Sequence, residues 1–386
     1  MVALVAFGVV MVFSASAVYA NQQYGDGHYF LLRQGFFAVL GLAAVVVGAR
    51  VDYHHYRKLT YPALGVAVLL LLVVAAGFGH SAGGATRWIR VGPVNIQPSE
   101  IAKLALILWL AYSLSKKQER IRSFSIGFLP HVLMAGLLML LCLEQPDFGS
   151  AVMIGLLTFV MLFAAGAKTG YILLAGLAAA PLAWALVASS PYRMRRIKAF
   201  LAPFEHRYDV GYQIAESLMS FGAGGPTGVG IGDSRQKLFF LPEAHTDFIS
   251  AIIGEELGFV GIAVLIAAFS LLVLRGFRAA FRAADDYGTW LAVGITLFLG
   301  MQAFTNMAVA MGMLPTKGLV LPFISYGGSS LVVNCLAVGI LLNVSRPREV
   351  AEADRGDAAG ATAARTGRGK RNRAAGGRRA AMGGAT

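Results

Sequence analysis

The sequence predicts an all-α polytopic membrane protein of about ten transmembrane helices, with a large extracytoplasmic loop between helices 7 and 8. Three observations carry this reading. Hydrophobic residues make up 57% of the chain against 14% charged, at a mean hydropathy of +0.65. Apolar runs of about 20 residues, each long enough to cross a bilayer core, recur along its whole length. The charge, net +13, sits mostly in loops and the C-terminal tail. That pattern reports orientation in a membrane rather than a nucleic-acid surface, and no nucleic-acid partner is expected.

Apolar runs place helices at roughly 2–20, 32–49, 61–79, 98–115, 126–143, 149–167, 170–189, 248–274, 288–313 and 319–345. The first run has no basic leader, and Ala15-Ser16-Ala17 only superficially resembles a cleavage site, so it is read as a retained helix. With a cytoplasmic N-terminus, the inside loops hold Arg50, Arg57 and Lys58, then Lys116, Lys117, Arg120 and Arg122, then Lys168, then Arg275, Arg278 and Arg282. Outside loops 21–31 and 144–148 carry no Lys or Arg. Loops 80–97 and 190–247 do, but the second is long enough for charge to constrain it little. Both termini are therefore expected inside.

The 190–247 loop is too long and too patterned for a passive connection. It opens on the basic Arg193, Arg195 and Arg196. Tyr212–Phe221 reads as an amphipathic helix at the membrane interface, with Ile214, Leu218 and Phe221 on one side. Gly222–Gly232 lacks the strand–loop–helix setting and lysine of a phosphate cradle, and reads as a flexible or close-packed loop. Residues 1–345 form the membrane domain. Residues 346–386, with ten Lys/Arg against four Asp/Glu and no apolar periodicity, read as a disordered basic cytoplasmic tail near anionic lipid. The two cysteines, Cys142 and Cys335, sit in apolar segments and are read as packing.

The stretch 241–258, LPEAHTDFISAIIGEELG, is where chemistry is expected. A helix starting near Thr246 would put Asp247 in its first turn, where backbone N–H groups favour a carboxylate. Glu255 and Glu256 follow inside an apolar run, about 12 Å deeper at the helical rise. Ionisable groups at such depth are costly and usually functional. From these residues alone, capping is the commoner role for Asp247.

Three further motifs accompany this stretch in order: Arg87-Trp88-Ile89 with Asn95-Ile96-Gln97-Pro98-Ser99-Glu100 and Lys103; Gln145-Pro146-Asp147-Phe148-Gly149; and Pro322–Ser330. Together they resemble the SEDS family of peptidoglycan glycosyltransferases, over roughly Val9–Arg346. Ile253–Glu256 and Leu314–Gly318 are more similar to its cell-division branch than to its elongation branch.

The resemblance implies that the 4-hydroxyl of lipid II attacks the anomeric carbon of a glycan carried on polyprenyl pyrophosphate, outside the bacterial cytoplasmic membrane at the division site. It implies a class B penicillin-binding protein as transpeptidase partner, other division proteins in the membrane, a divalent cation (Mg or Mn), and no organic cofactor. No ligand spacing identifies a metal site. Asp247 matches the family's essential aspartate and is the expected general base. Arg87, Trp88, Gln97, Glu100, Lys103, Asp147, Arg193, Arg196, His245 and Ser325 are the expected substrate contacts.

Several have a plainer reading beside that one. Glu100 and Lys103 are spaced for an i,i+3 ion pair that lets both charges enter the membrane. Asp147 begins a helix and would cap it. Arg193 and Arg196 would meet lipid phosphates at any interface. Ser325–Ser330 suits close helix packing. Glu255 and Glu256 are as well explained by a buried basic partner as by a metal. Asn95 stands where some relatives carry arginine, and Ala202-Pro203-Phe204 where the family often has Asp-Pro-Trp, so no phosphate-binding or acidic role is carried to those places. Two competing functions are weighed. A lipid II flippase would suit intramembrane charge, but the polar motifs cluster on one side and no inverted repeat is visible. A scaffold acting through the tail leaves the outer-face acids unexplained.

Overall fold

The computed structural model describes residues 1–82, 85–92, 94–316 and 318–346; the expected disordered tail lies outside the described residues, apart from Arg346. Met1–Ser345 forms one compact unit. The chain begins with three helices, α1 (Val2–Tyr24), α2 (Tyr29–Arg50) and α3 (Tyr53–Val73). Asp52 starts α3 by accepting from the His54 N–H, and a π turn extends it to Phe78.

A small antiparallel sheet follows, ordered β1 (His80–Ala82), β2 (Ala85–Val91), β3 (Val94–Ile96). Arg90 pairs with Asn95 across β2 and β3. By periodicity 80–97 reads as a loop, because strands this short show no alternation above the neighbouring apolar runs.

Then come α4 (Pro98–Lys117), α5 (Leu129–Glu144), α6 (Phe148–Ala164), α7 (Thr169–Ala188), α8 (Pro191–Leu201) and α9 (Tyr212–Gly224). The chain closes with α10 (Ile249–Phe281), α11 (Asp286–Ala310) and α12 (Gly328–Val344). Among the described residues, seven helices are long and apolar enough to cross a membrane: α1, α2, α3 with its π turn, α5 with the turn before it, α7, α10 and α11. α6 and α12 are apolar but shorter. α4 carries Glu100, Lys103, Lys116 and Lys117, yet it is the helix most enclosed by others, buried from Ala102 through Ala111. α7 is its opposite: none of its residues is buried.

α2 and α12 approach backbone to backbone. A Cβ on Gly48 would stand 2.9 Å from the Ile340 nitrogen and the Leu336 oxygen, and one on Gly339 would stand 2.5 Å from the Val45 oxygen. Small residues substitute for the hydrophobic drive that is missing between helices in lipid. Cys142 and Cys335 are free and buried.

Three expectations are corrected. α12 starts at Gly328 rather than 319, because residues 319–327 spend their polar groups on loop bonds: the Ser325 hydroxyl accepts from the Leu321 N–H (2.8 Å). α9 forms, but its Ile214 and Leu218 side faces protein at Gly312. Ile214, Ala215, Glu216, Ser217 and Ser220 are buried, and the Ser217 hydroxyl donates to the Ala310 carbonyl of α11 (2.6 Å). α10 starts at Ile249, which leaves Asp247 ahead of its first turn, and runs on to Phe281 with a break at Gly258 (φ 66°, ψ −163°).

The glycine-rich loop after α9 fits into that break. The Val229 and Gly230 N–H groups donate to the carbonyls of Glu255 and Glu256 (both 3.0 Å). The Phe259 and Val260 N–H groups donate to Gly225 and Pro226 (2.9 and 3.1 Å). Backbone groups freed by the break are thus paired, as any at membrane depth must be. A Cβ on Gly228 would stand 2.1 Å from the Glu256 oxygen, so only glycine fits.

Candidate active site

One strand and three loops converge at the end of the bundle that carries residue 247. β2 brings Arg87, the α5–α6 turn brings Pro146 and Asp147, the loop before α10 brings Asp247, and the α11–α12 loop brings Thr316 and Gly318. Arg87 donates through Nη2 to the Pro146 carbonyl. Its Nε is buried and has no hydrogen-bond partner. Gly318 leaves a small space between acid and base: a Cβ there would stand 3.4 Å from Asp247 Oδ2 and 3.6 Å from Arg87 Nη1. Arg196 of α8 closes another side and donates to the Thr316 carbonyl (3.3 Å).

Asp247 is half-buried here. Burial pushes its carboxyl up to about 7, Glu243 adds to the rise, and Arg87 and Arg196 pull against it. A carboxylate poised near neutrality beside two guanidinium groups can take up and release a proton at working pH.

The backbone under Asp247 is fixed from two directions. Asn306 of α11, fully buried, donates through Nδ2 to the carbonyls of Asp247 (2.8 Å) and Leu319 (2.6 Å), and accepts from the Ser250 hydroxyl (3.2 Å). Ser325 donates to the Thr246 carbonyl (2.6 Å), and the Tyr326 N–H donates to the His245 carbonyl (2.9 Å). Glu243 holds a left-handed backbone (φ 56°) while its carbonyl accepts from Thr246 and Phe248. Asn306 was not singled out in the sequence, because a lone asparagine in an apolar run carries no motif.

The other expected residues divide by what they touch. Asp147 is buried and fully engaged. One oxygen accepts from the Ser150 N–H (3.1 Å), as a helix cap does; the other accepts from the Ser99 hydroxyl (3.0 Å) and the Gln97 amide (3.3 Å). Glu100 and Lys103 form a buried ion pair at 2.6 Å, with Lys103 also over the Phe298 ring (5.4 Å). One Glu100 oxygen is left without a partner. Trp88 follows Arg87 in β2 and so projects to the other face of the sheet. Arg193 donates to the Leu186 carbonyl (2.8 Å) and lies over Phe148 (5.9 Å). His245 is packed among Tyr19, Phe30 and Tyr326, and burial lowers its pKa despite Glu243, so the imidazole is neutral at neutral pH.

Glu255 and Glu256 both have structural partners. Glu255 receives the Ser234 hydroxyl and the Arg235 N–H (2.9 Å). Glu256 pairs with Lys237 (3.0 Å) and accepts from Ser14 of α1 (2.6 Å). Among the described residues no three of His, Cys, Asp and Glu converge as a metal cage.

These features define a multi-pass helical membrane protein whose polar loops meet at one end around a carboxylate and two arginines. A family model described as "Cell cycle protein", spanning FtsW, RodA and SpoVE, matches residues 1–350. The chain is 53% identical over 345 residues to the "Probable peptidoglycan glycosyltransferase FtsW" of Geobacter metallireducens, covering 89% of this chain and 92% of that protein. It is 44% identical over 349 residues to the stage V sporulation protein E of Bacillus subtilis, covering 89% and 94%. Among solved structures it superposes on a chain of a peptidoglycan synthase complex with a TM-score of 0.73 at 30% identity, over 90% of this chain and 98% of that one. Against RodA of Thermus thermophilus the TM-score is 0.66 at 31% identity, over 90% and 94%. The chain belongs to the FtsW/RodA/SpoVE family, the SEDS proteins.

Proposed function

We propose that the chain is a peptidoglycan glycosyltransferase that polymerises lipid II on the outer face of the bacterial cytoplasmic membrane during cell division, with Asp247 as general base. The reading takes α1–α7 and α10–α12 as spans, both termini inside, and Asp247 outside. The observation that carries it is the Asp247 carboxyl, pushed up to about 7 yet flanked by Arg87 and Arg196. The names of relatives supply the reaction class.

In this mechanism Asp247 accepts the proton of the lipid II 4-hydroxyl as its oxygen bonds to the anomeric carbon of the growing glycan. The anomeric bond to phosphate breaks, and polyprenyl pyrophosphate leaves with the electron pair. Arg87 and Arg196 meet the negative charge that develops on the leaving group. The unpartnered Arg87 Nε is a donor available to it. A class B penicillin-binding protein would cross-link the product, in keeping with the complex in which a structural relative occurs.

The test is glycan polymerisation from purified lipid II by wild type and Asp247→Asn, each with and without the transpeptidase. Polymer from the wild type alone supports the reading. Equal polymer from both forms removes Asp247 as base, and none from either returns the choice to a flippase.

A further inference from the structure

A groove of about 1330 Å³ runs along α10 between α1 and α12, away from Asp247. Its walls are apolar from Leu257 through Val264 to Leu272, facing Phe7 of α1 and Leu341 of α12. Val264 is 63% exposed there, and Val260 and Leu271, which also line the groove, are 55% and 57% exposed. The groove ends in three arginines, Arg275, Arg278 and Arg282, at spacings that put them on one helix face. All three are exposed, no carboxylate lines the groove, and among the described residues no ion pair or hydrogen bond engages any of them. From Val260 to Arg275 the helix rises roughly 22 Å, more than half of a hydrocarbon core of about 30 Å.

An apolar trough that opens on unpaired arginines at the membrane surface matches one amphiphile: acyl chains below, phosphate above. Basic pockets between transmembrane helices bind anionic lipid headgroups in this way. The chain's own tail is a poor occupant, since residues 346–386 carry ten Lys/Arg against four Asp/Glu. A second copy would bring its own arginines against these. We propose that the groove binds one anionic phospholipid of the leaflet opposite Asp247, with its phosphate on Arg275, Arg278 and Arg282 and an acyl chain along Val264. The lipid completes a seam where α1 and α10 otherwise meet through Ser14, Glu256 and Lys237. This inference does not depend on the glycosyl-transfer reading.

The full chain, purified and delipidated in detergent, is titrated with dioleoyl phosphatidylglycerol or dioleoyl phosphatidylcholine, reading bound lipid by native mass spectrometry and Tm by thermal shift. Phosphatidylglycerol should be retained at one per chain, at least tenfold more tightly than phosphatidylcholine, and should raise Tm. The triple variant Arg275→Gln/Arg278→Gln/Arg282→Gln should lose that preference with lipid-free Tm unchanged. Val264→Trp, which keeps the arginines and fills the trough, should lose it too. Equal binding of the two lipids by wild type, or retention of the preference by both variants, overturns the proposal. So does an equal Tm rise from inorganic phosphate alone, which would mark a bare anion site, or cross-linking from Val264→Cys to a protein helix in native membranes.

Discussion

Asn306 donates from one amide nitrogen to the carbonyls of Asp247 and Leu319, 2.8 and 2.6 Å away. A buried residue in the last turns of α11 thereby holds the candidate base against the loop that carries Gly318. Asn306→Ala should leave two buried carbonyls with lost partners, costing about 1–3 kcal/mol, and should release the backbone under Asp247. Polymerisation is expected to fall by one to two orders of magnitude in protein that still folds. Comparing kcat with Tm for the same preparation checks this, since a purely structural role would move Tm and leave kcat of the folded fraction alone.

The Asp247 carboxyl, pushed up to about 7, sets two pH dependences of opposite sign. Activity needs the ionised form, so the wild-type rate should climb through about pH 7 and level off above it. Stability runs the other way. The folded state holds the proton more tightly than the unfolded chain, so the contribution is complete below the ordinary value of 3.8 and is lost as pH rises through about 7. Asp247→Asn should therefore be inactive but more stable than wild type at pH 8, by something on the order of 1–3 kcal/mol, and no more stable at pH 4. Thermal unfolding at the two pH values decides it.

Gly318 offers a steric probe of the same space. Its added Cβ meets Asp247 and Arg87 only at ordinary contact distance, so Gly318→Ala should fold with a Tm within a degree or two of wild type. Gly318→Val should also fold, because the position is exposed, but should reduce polymerisation by about tenfold or more through crowding of the acid–arginine gap. Activity loss without stability loss is the expected signature.

Lys237 and Glu256 form a buried pair within 3.0 Å. Lys237→Met should destabilise by about 3–5 kcal/mol because it strands a buried carboxylate, whereas Lys237→Met/Glu256→Leu should recover most of that. A thermal-unfolding double-mutant cycle tests it; additive losses would remove the pair as the source of the effect.

The sequence was most readable where chemistry repeats over many residues. Long apolar runs placed the helices because each needs about 20 such residues, and the 241–258 stretch stood out because acids are costly inside them. Glu100 and Lys103 lay at helical spacing and do pair. What escaped notice was set by distant partners. Ser217 meets Ala310, and Asn306 meets Asp247, across separations that no local pattern encodes. The break at Gly258 was invisible for the same reason, since its cause is a loop that arrives from residues 225–230.

That break divides one continuous apolar run into two bodies with different attachments. The short upper body, from Ile249 to Leu257, shares its carbonyls with the glycine loop, and the long lower body begins by donating to that loop. Tilt of the lower shaft thus reaches the upper body through the Gly258 backbone and a clasp of four backbone hydrogen bonds. The part of the helix that bears on the candidate base can hold its bearing while the rest leans with the thickness of the surrounding lipid.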